Sequence, residues 1–467
     1  MRRFWQLALV FLCSCSAPSP AVTVQVTSPA ASTSVSSPVQ FTASASSRHT
    51  ITQWQIFVDG ANVYQTGPSQ TLSAKIPISA GTHNVIVEAW NSNGNHASNH
   101  MTLTVTVSGA PTPTPSPSPA GPALYVSTTG SDSNPCTVNA PCKTIDRADS
   151  LATPGTTVHV APGSYTGPFH ATHSGTASAH LVFVSDQKWG AKISATGLGT
   201  GATLRSDGSY VEIRDFDVSG DGADGILNNG SFVLLAGNHV HNITDSICQG
   251  GGGVHSWGNH TISNVQFIGN LIHDIGNPDS TTPCNQVHGI YEENPHGTIV
   301  NNIVYRASGY GIHLWHAASD AVVANNTSFD NDASGIVIGG GDTGVTTGDN
   351  NTACFNNILY NNHKYGITQQ GVFGPNNVFA NNLIYGNSWG AVSGLSETGT
   401  VAADPLFVNY NPTGTGDYHL QSGSPAIGAG LAAVQAGTNP GQTLGYDFDG
   451  NPRPVSGRYD IGAYEWQ

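Results

Sequence analysis

Apolar and polar residues alternate in short runs along most of this chain, the period of half-buried β-strands and not of helices. Between 22 and 108 the runs include VTVQVTS, VQFTASA, WQIFVDG and HNVIVEAW. Asp59-Gly60 between two such runs marks a tight hairpin. About seven strands in so short a span predict a β-sandwich, with Trp54 and Trp90 in its core. Residues 110–122, APTPTPSPSPAGP, form an extended, semi-rigid linker.

From 123 onward the alternation is organised into a repeat. Six asparagines, Asn238, Asn270, Asn302, Asn326, Asn357 and Asn382, recur in the settings GNHVH, GNLIH, NNIVY, NNTSF, NNILY and NNLIY. Between them runs a second element, DGIL, GGVH, HGIY, YGIH, SGIV, YGIT and WGAV, on Gly225, Gly253, Gly289, Gly311, Gly335, Gly366 and Gly390. The shortest spacing, about 22–25 residues, suits one coil of a stacked solenoid, with longer gaps as loops inserted at a corner. Asn suits a repeated tight turn, because it tolerates the left-handed conformation and bonds backbone groups of the next coil.

Aligned on these glycines, the following Ile or Val points inward, so the residue after it points outward. That position holds Leu227, His255, Tyr291, His313, Val337, Thr368 and Val392. Three consecutive coils thus present His, Tyr and His at a stacking distance of about 4.8 Å. Two residues further on, a second outward row reads Trp257, Glu293, Trp315. His288 and Tyr310 sit at the corner before the strand, as does Asp224, while Glu292 has inward parity. The insertions at 242–252 and 274–286 border the same coils and predict the walls of a cleft.

The repeat resembles right-handed parallel β-helix proteins of the pectate-lyase-like superfamily over 123–400. The opening ALYVSTTGSDSNPCTVNAPCKTIDRA and the close DYHLQSGSPAIGAG with DFDGNPRPVSGRYDIGAYE (within 401–467) resemble the terminal segments of secreted bacterial members. Residues 22–108 resemble bacterial immunoglobulin-like domains, which serve as glycan or surface binders or as spacers. The expected fold is therefore all-β: an Ig-like β-sandwich linked to a right-handed parallel β-helix.

That resemblance implies action on polysaccharides, first as a lyase that cleaves uronic-acid-containing glycans by β-elimination. In that reading His255 or His313 is the base, Tyr291 the leaving-group acid and Arg306 or a cation the neutraliser of the uronate. Trp257 and Trp315 would be sugar platforms, with His288, Lys364 and Tyr310 beside them. Family members that use Lys or Arg with calcium are a poor match, since few bases lie near the row. A glycoside hydrolase would pair Glu293 with Glu292 or Asp320. A uronate epimerase is the third enzymatic reading, from a loose likeness of Tyr291 and Asn294-Pro295-His296 to a Tyr with Asp-Pro-His. A non-enzymatic glycan-binding adhesin is the reading from another class.

Composition narrows partners. Charged residues are 9% of 467 and the formal charge is −15. From 123 onward 27 acidic side chains face 10 basic ones, which argues against nucleic-acid binding. Asp215, Asp217, Asp221 and Asp224 in RDFDVSGDGADG are oxygen ligands at one corner, so calcium is the expected cofactor if there is one. The start MRRFWQLALVFLCSC reads as an export signal over 1–15 and resembles a lipoprotein cleavage box with Cys15 lipidated, Cys13 standing where a small residue is usual. The expected protein is an exported monomer, a surface lipoprotein or extracellular, touching membrane only through a lipid. Export permits disulfides. Cys248 and Cys284 each lie five residues before a repeat glycine, a register that predicts one bridge. Cys136 and Cys142 are the other expected pair, leaving Cys354 as a buried thiol.

Overall fold

The computed structural model describes residues 22–30, 34–37, 39–76, 78, 81–107, 121–244, 248, 250–278, 286–341, 348–411, 413, 416–455 and 457–467. The export segment with Cys15, most of the linker, Cys284 and parts of both long insertions lie outside the described residues. The chain divides into two compact units, Met1–Ser108 and Gly109–Gln467. Among the described residues no helix is long and apolar enough to cross a membrane.

The first unit packs a three-stranded sheet (Val22–Ser28, Val39–Ser47, Thr71–Ile76) and a five-stranded sheet around Phe41, Trp54, Ile56 and Leu103. Asp59 and Gly60 form a two-residue hairpin turn with φ of 50° and 87°, joining Val58 to its partner Ala61. Trp54 is fully buried and its indole N–H donates to the Ser69 carbonyl at 2.9 Å. Trp90 departs from expectation. Val85, Val87 and Ala89 take the inward positions, so Trp90 has outward parity and stacks on His96 at 4.3 Å.

The second unit is a parallel β-helix of three sheets with ten, nine and nine strands. Its first sheet runs from Ala123–Val126 to Val378–Ala380, its second from Gly163–Thr166 to Leu383–Tyr385, and its third from Phe169–Ala171 to Gly390–Ser393. Inward Val, Ile, Leu and Phe of successive coils form one continuous core. The six asparagines stack at the turn between the first and second sheets. Each side-chain amide donates to the Oδ1 of the next, at 3.2, 2.9, 2.9, 2.9 and 2.8 Å. The left-handed residue, however, is the one before each of them: Gly237, Gly269, Asn301, Asn325, Asn356 and Asn381 all have positive φ. Strain and ladder bonding are thus divided between two neighbours, which is why four of the six motifs read NN. A second ladder, Asn331, Asn362 and Asn387, stacks between the second and third sheets.

The repeat glycines have a steric cause. A Cβ at Gly289 would lie 2.5 Å from the Gly311 carbonyl oxygen, and one at Gly311 would lie 2.7 Å from that of Gly335. Side chains of the second sheet crowd the same positions, Val304 Cγ1 against a Cβ at Gly289 and Ser328 Oγ against one at Gly311. The C-terminal segment docks on the asparagine turns: Arg453, fully buried, donates to Glu465 at 2.8 Å and to Asn301 Oδ1 at 3.0 Å. The conspicuous charges of its closing motif therefore serve packing.

Candidate functional site

The third sheet carries the site. Its register pairs Leu227 with His255, His255 with Tyr291, Tyr291 with His313 and His313 with Val337. Ile226, Val254, Ile290, Ile312 and Ile336 alternate with them into the core. The three rings stack nearly parallel, His255 on Tyr291 and Tyr291 on His313, each at 4.8 Å with interplanar angles of 13° and 11°.

Two expectations need correction. The row does not face open solvent: His255, Tyr291 and His313 are 8%, 8% and 7% exposed. The second row is not a flat platform either, because the strands end at Ser256, Glu292 and Leu314. Trp257 leaves the sheet into the one-turn helix Gly258–His260 and is exposed. Trp315 and His316 turn in the same way, His316 with φ of 53°. These turns carry His260 and His316 back over the row. His288 stands edge-on to Tyr291 and to His313, and Tyr310 and Trp315 flank His313 at 5.2 and 5.3 Å. The Tyr310 hydroxyl is held by the Gln370 amide.

Glu293 is the hub of this enclosure and is 3% exposed. Its Oε1 takes the His255 Nε2–H at 3.1 Å and lies 3.6 Å from His316 Nε2, while Oε2 lies 2.9 Å from His260 Nδ1. Asp224 accepts from the other His255 nitrogen at 3.0 Å and from the Gly252 N–H at 2.8 Å. Burial opposes a charge on His255, yet the two carboxylates on its nitrogens outweigh it and push the imidazole up to about 10. His255 is thus a fixed cation with both nitrogens committed, which removes it as a base.

His313 is its opposite. Burial and the neighbouring histidines hold it far below the usual imidazole range. Neither ring nitrogen has a hydrogen-bond partner among the described residues. His288 is pushed down to about 3 by burial and by the charge of His255, and its Nδ1 accepts the Tyr310 backbone N–H at 3.1 Å. The enclosure therefore holds one charged imidazole, one neutral imidazole with its nitrogens open, and a phenol stacked between them.

Other expected residues go elsewhere. Arg306 belongs to the second sheet, where its Nε donates to Asp274 at 2.6 Å, so it does not serve the row. Lys364 lies over the Trp389 ring at 5.3 Å, just before a strand three coils beyond Tyr291. Glu292 points into the core as its parity required, and burial pushes its carboxyl up to about 8. Asp320 accepts from Asn351 in another corner, so neither carboxylate pairs with Glu293. Asn294 ties its turn to the Ser256 carbonyl at 2.8 Å, and His296 is exposed. The four aspartates do not converge. Asp215 lines a separate cavity with Lys188 and Arg214. Asp217 bonds His239 and His241 on the second sheet, Asp221 caps the Gly197 and Leu198 N–H groups, and Asp224 serves His255. Adjacent positions in sequence fall on different sides of a coil corner.

Cys136 and Cys142 stand at disulfide distance, Cα atoms 4.6 Å apart. Cys354 is a buried free thiol and Cys248 is not free. Asp224 as a partner of His255, and His260 and His316 altogether, escaped the sequence reading. For His316 the one signal was its spacing, three residues after His313.

Fold and matched families together define the class: a right-handed parallel β-helix with an N-terminal Ig-like domain. Residues 200–384 match the family described as right handed beta helix region, and residues 23–87 match the bacterial Ig domain family. Among solved structures, the pectate lyase Pel9A superposes with a TM-score of 0.54 at 17% identity, over 74% of this chain and 97% of that one. At that identity the likeness is one of fold. An alginate lyase from Paenibacillus sp. str. FPU-7 aligns over 59% of this chain and 99% of its own, with TM-score 0.34 and 18% identity. The "Uncharacterized protein YwoF" of Bacillus subtilis (strain 168) is 27% identical over 145 residues, 28% of this chain and 31% of the relative. The chain thus spans about a third of the length of that curated relative.

Proposed function

We propose that this protein is an exported polysaccharide-active enzyme, a lyase that cleaves uronic-acid-containing glycans by β-elimination. The observation that carries the reading is His313: a buried, neutral imidazole with both nitrogens open, stacked on a tyrosine and one ring away from a fixed cation. In the reaction the C5–H bond of the uronate breaks and its proton passes to His313. The electron pair forms the C4–C5 double bond, and the C4–O bond breaks as the Tyr291 phenol protonates the departing oxygen. Once product leaves and water re-enters, His313 gives up its proton and Tyr291 regains one, which resets both groups. The enclosure excludes bulk water, which strengthens the field of the His255 imidazolium on the anionic intermediate. The pectate-lyase-like fold supports the substrate class. Export through residues 1–15, with Cys15 as the lipid anchor, belongs to the same proposal.

The test is incubation with pectate, alginate and related polyuronates, reading the ultraviolet absorbance of the unsaturated product. Tyr291→Phe and His313→Gln should each lower turnover by about 10²–10⁴-fold with an unchanged circular dichroism spectrum. New reducing ends without ultraviolet product would make the protein a hydrolase. Binding without either product would make it a glycan-binding protein.

A further inference from the structure

The turn after each of two site strands ends in a histidine that points back at one buried carboxylate, and a catalytic row does not require this. His260 Nδ1, a Glu293 oxygen and His316 Nε2 lie within 4.8 Å of one another. The centroids of the two imidazoles lie 4.2 Å apart with their planes tilted by 30°. Donors around a tetrahedral ion at about 2.0–2.1 Å stand roughly 3.3 Å apart. The separations here, 2.9 Å for His260 to Glu293 and 3.6 Å for His316 to Glu293, bracket that value.

A second observation is independent of the clustering. Glu293 Oε2 and His260 Nδ1 face each other at 2.9 Å, yet neither makes a hydrogen bond among the described residues. Both are buried atoms, and an unsatisfied carboxylate oxygen in a 3% exposed residue is costly. Oε1 of the same carboxylate is held by His255, which Asp224 holds in turn. A carboxylate fixed from one side and open on the other is how a ligand is oriented by its outer partners.

We propose that His260, Glu293 and His316 form a binding site for a divalent transition-metal ion of the zinc type, with a fourth position left for another ligand. Two imidazoles and one carboxylate select zinc, copper or nickel over calcium and magnesium, which want oxygen ligands. The aspartate string named by the sequence is not this site. The second histidine group, Asp217, His239 and His241, is a weaker candidate, because its ring nitrogens already bond Asp217, His273 and Asn242. Resting on the lyase reading, the ion's open position would take the uronate carboxylate, the neutralising role that Arg306 does not fill.

The experiment uses the full chain, stripped with chelator and titrated with zinc, counting bound metal by mass spectrometry and affinity by calorimetry. Cobalt(II) replacement supplies the visible spectrum of a four-coordinate site. His260→Ala and His316→Ala, both in turns outside the strands, should weaken zinc by more than about 100-fold and abolish that spectrum. His239→Ala should leave both unchanged, and excess calcium should not displace zinc. Stripped protein that takes up no zinc, or zinc retained undiminished in both turn variants, would overturn the site. Zinc bound as described in a protein that yields no unsaturated product would leave the site standing and sink the lyase reading. Elimination by a protein that takes up no zinc would do the reverse.

Discussion

Substituting Asn302→Ala probes the asparagine ladder at its centre. The side chain is fully buried. Its Oδ1 accepts the Asn270 backbone N–H at 3.0 Å and the Asn270 amide at 2.9 Å, while its own amide donates to the Phe267 carbonyl at 2.8 Å and to Asn326 Oδ1 at 2.9 Å. Alanine removes these bonds and a fifth, from the amide to the Val300 carbonyl at 3.2 Å, but they are not equal in cost. Asn270 still reaches the Leu235 carbonyl, and Asn326 Oδ1 still accepts the residue 302 N–H. The group left without a partner is the Asn270 N–H, since the Phe267 carbonyl lies in the parallel ladder with the next coil. At about 1–3 kcal/mol for an orphaned buried group, the loss is about 2–4 kcal/mol with the small cavity included. An unfolding entropy of about 2.1 cal/mol/K per residue over a unit of roughly 350 residues turns this into a fall in melting temperature of about 3–5 °C. Differential scanning calorimetry of the full chain separates the two units and reads the shift on the β-helix transition alone. The exposed Asn139→Ala is the control. A shift under about 1 °C, or one equal to the control, would show that the ladder bonds merely replace water and that the turn geometry carries the stability.

Two further predictions use buried chemistry outside the site. Glu397 accepts the Asn382 N–H at the last rung of the ladder, and burial pushes its carboxyl up to about 7 from 4.5. The folded state then holds a proton that the unfolded chain has shed. This contribution to stability is complete below pH 4.5 and lost as the pH rises to about 7, so Glu397→Gln should flatten the pH profile of melting temperature across that window. For the cysteines, peptide mapping under non-reducing conditions should return 136–142 and 248–284 linkages. Cys354 should resist thiol reagents until denaturant is added, because it is fully buried and burial holds its thiol protonated. A 248–354 link would break the coil register on which the His–Tyr–His row depends.

Much of this molecule is local and therefore readable. Strand parity is a property of two residues, and coil register is a property of one turn. A repeated Gly-Ile or Asn-Ile thus placed Ile290 inward and aligned His255, Tyr291 and His313 without coordinates. The same alternation explains why Trp90 is not a core residue: the parity of Val87 and Ala89 turns it outward. What the tertiary structure alone decided is what happens where the repeat stops. Trp257 and Trp315 were read as continuing their strands. The chain leaves the sheet at Ser256 and Leu314, and two turns of unrelated sequence fold His260 and His316 onto Glu293. Asp224 and Asp217 are seven residues apart in sequence, yet one meets His255 on the third sheet and the other His239 on the second, because a corner lies between them. Arg306 is likewise near the row in sequence and on another face in space. A solenoid repeats its backbone, so position along a coil is written in the sequence. Which side chains cross a corner or fold back over a face depends on loop paths, and no period records those.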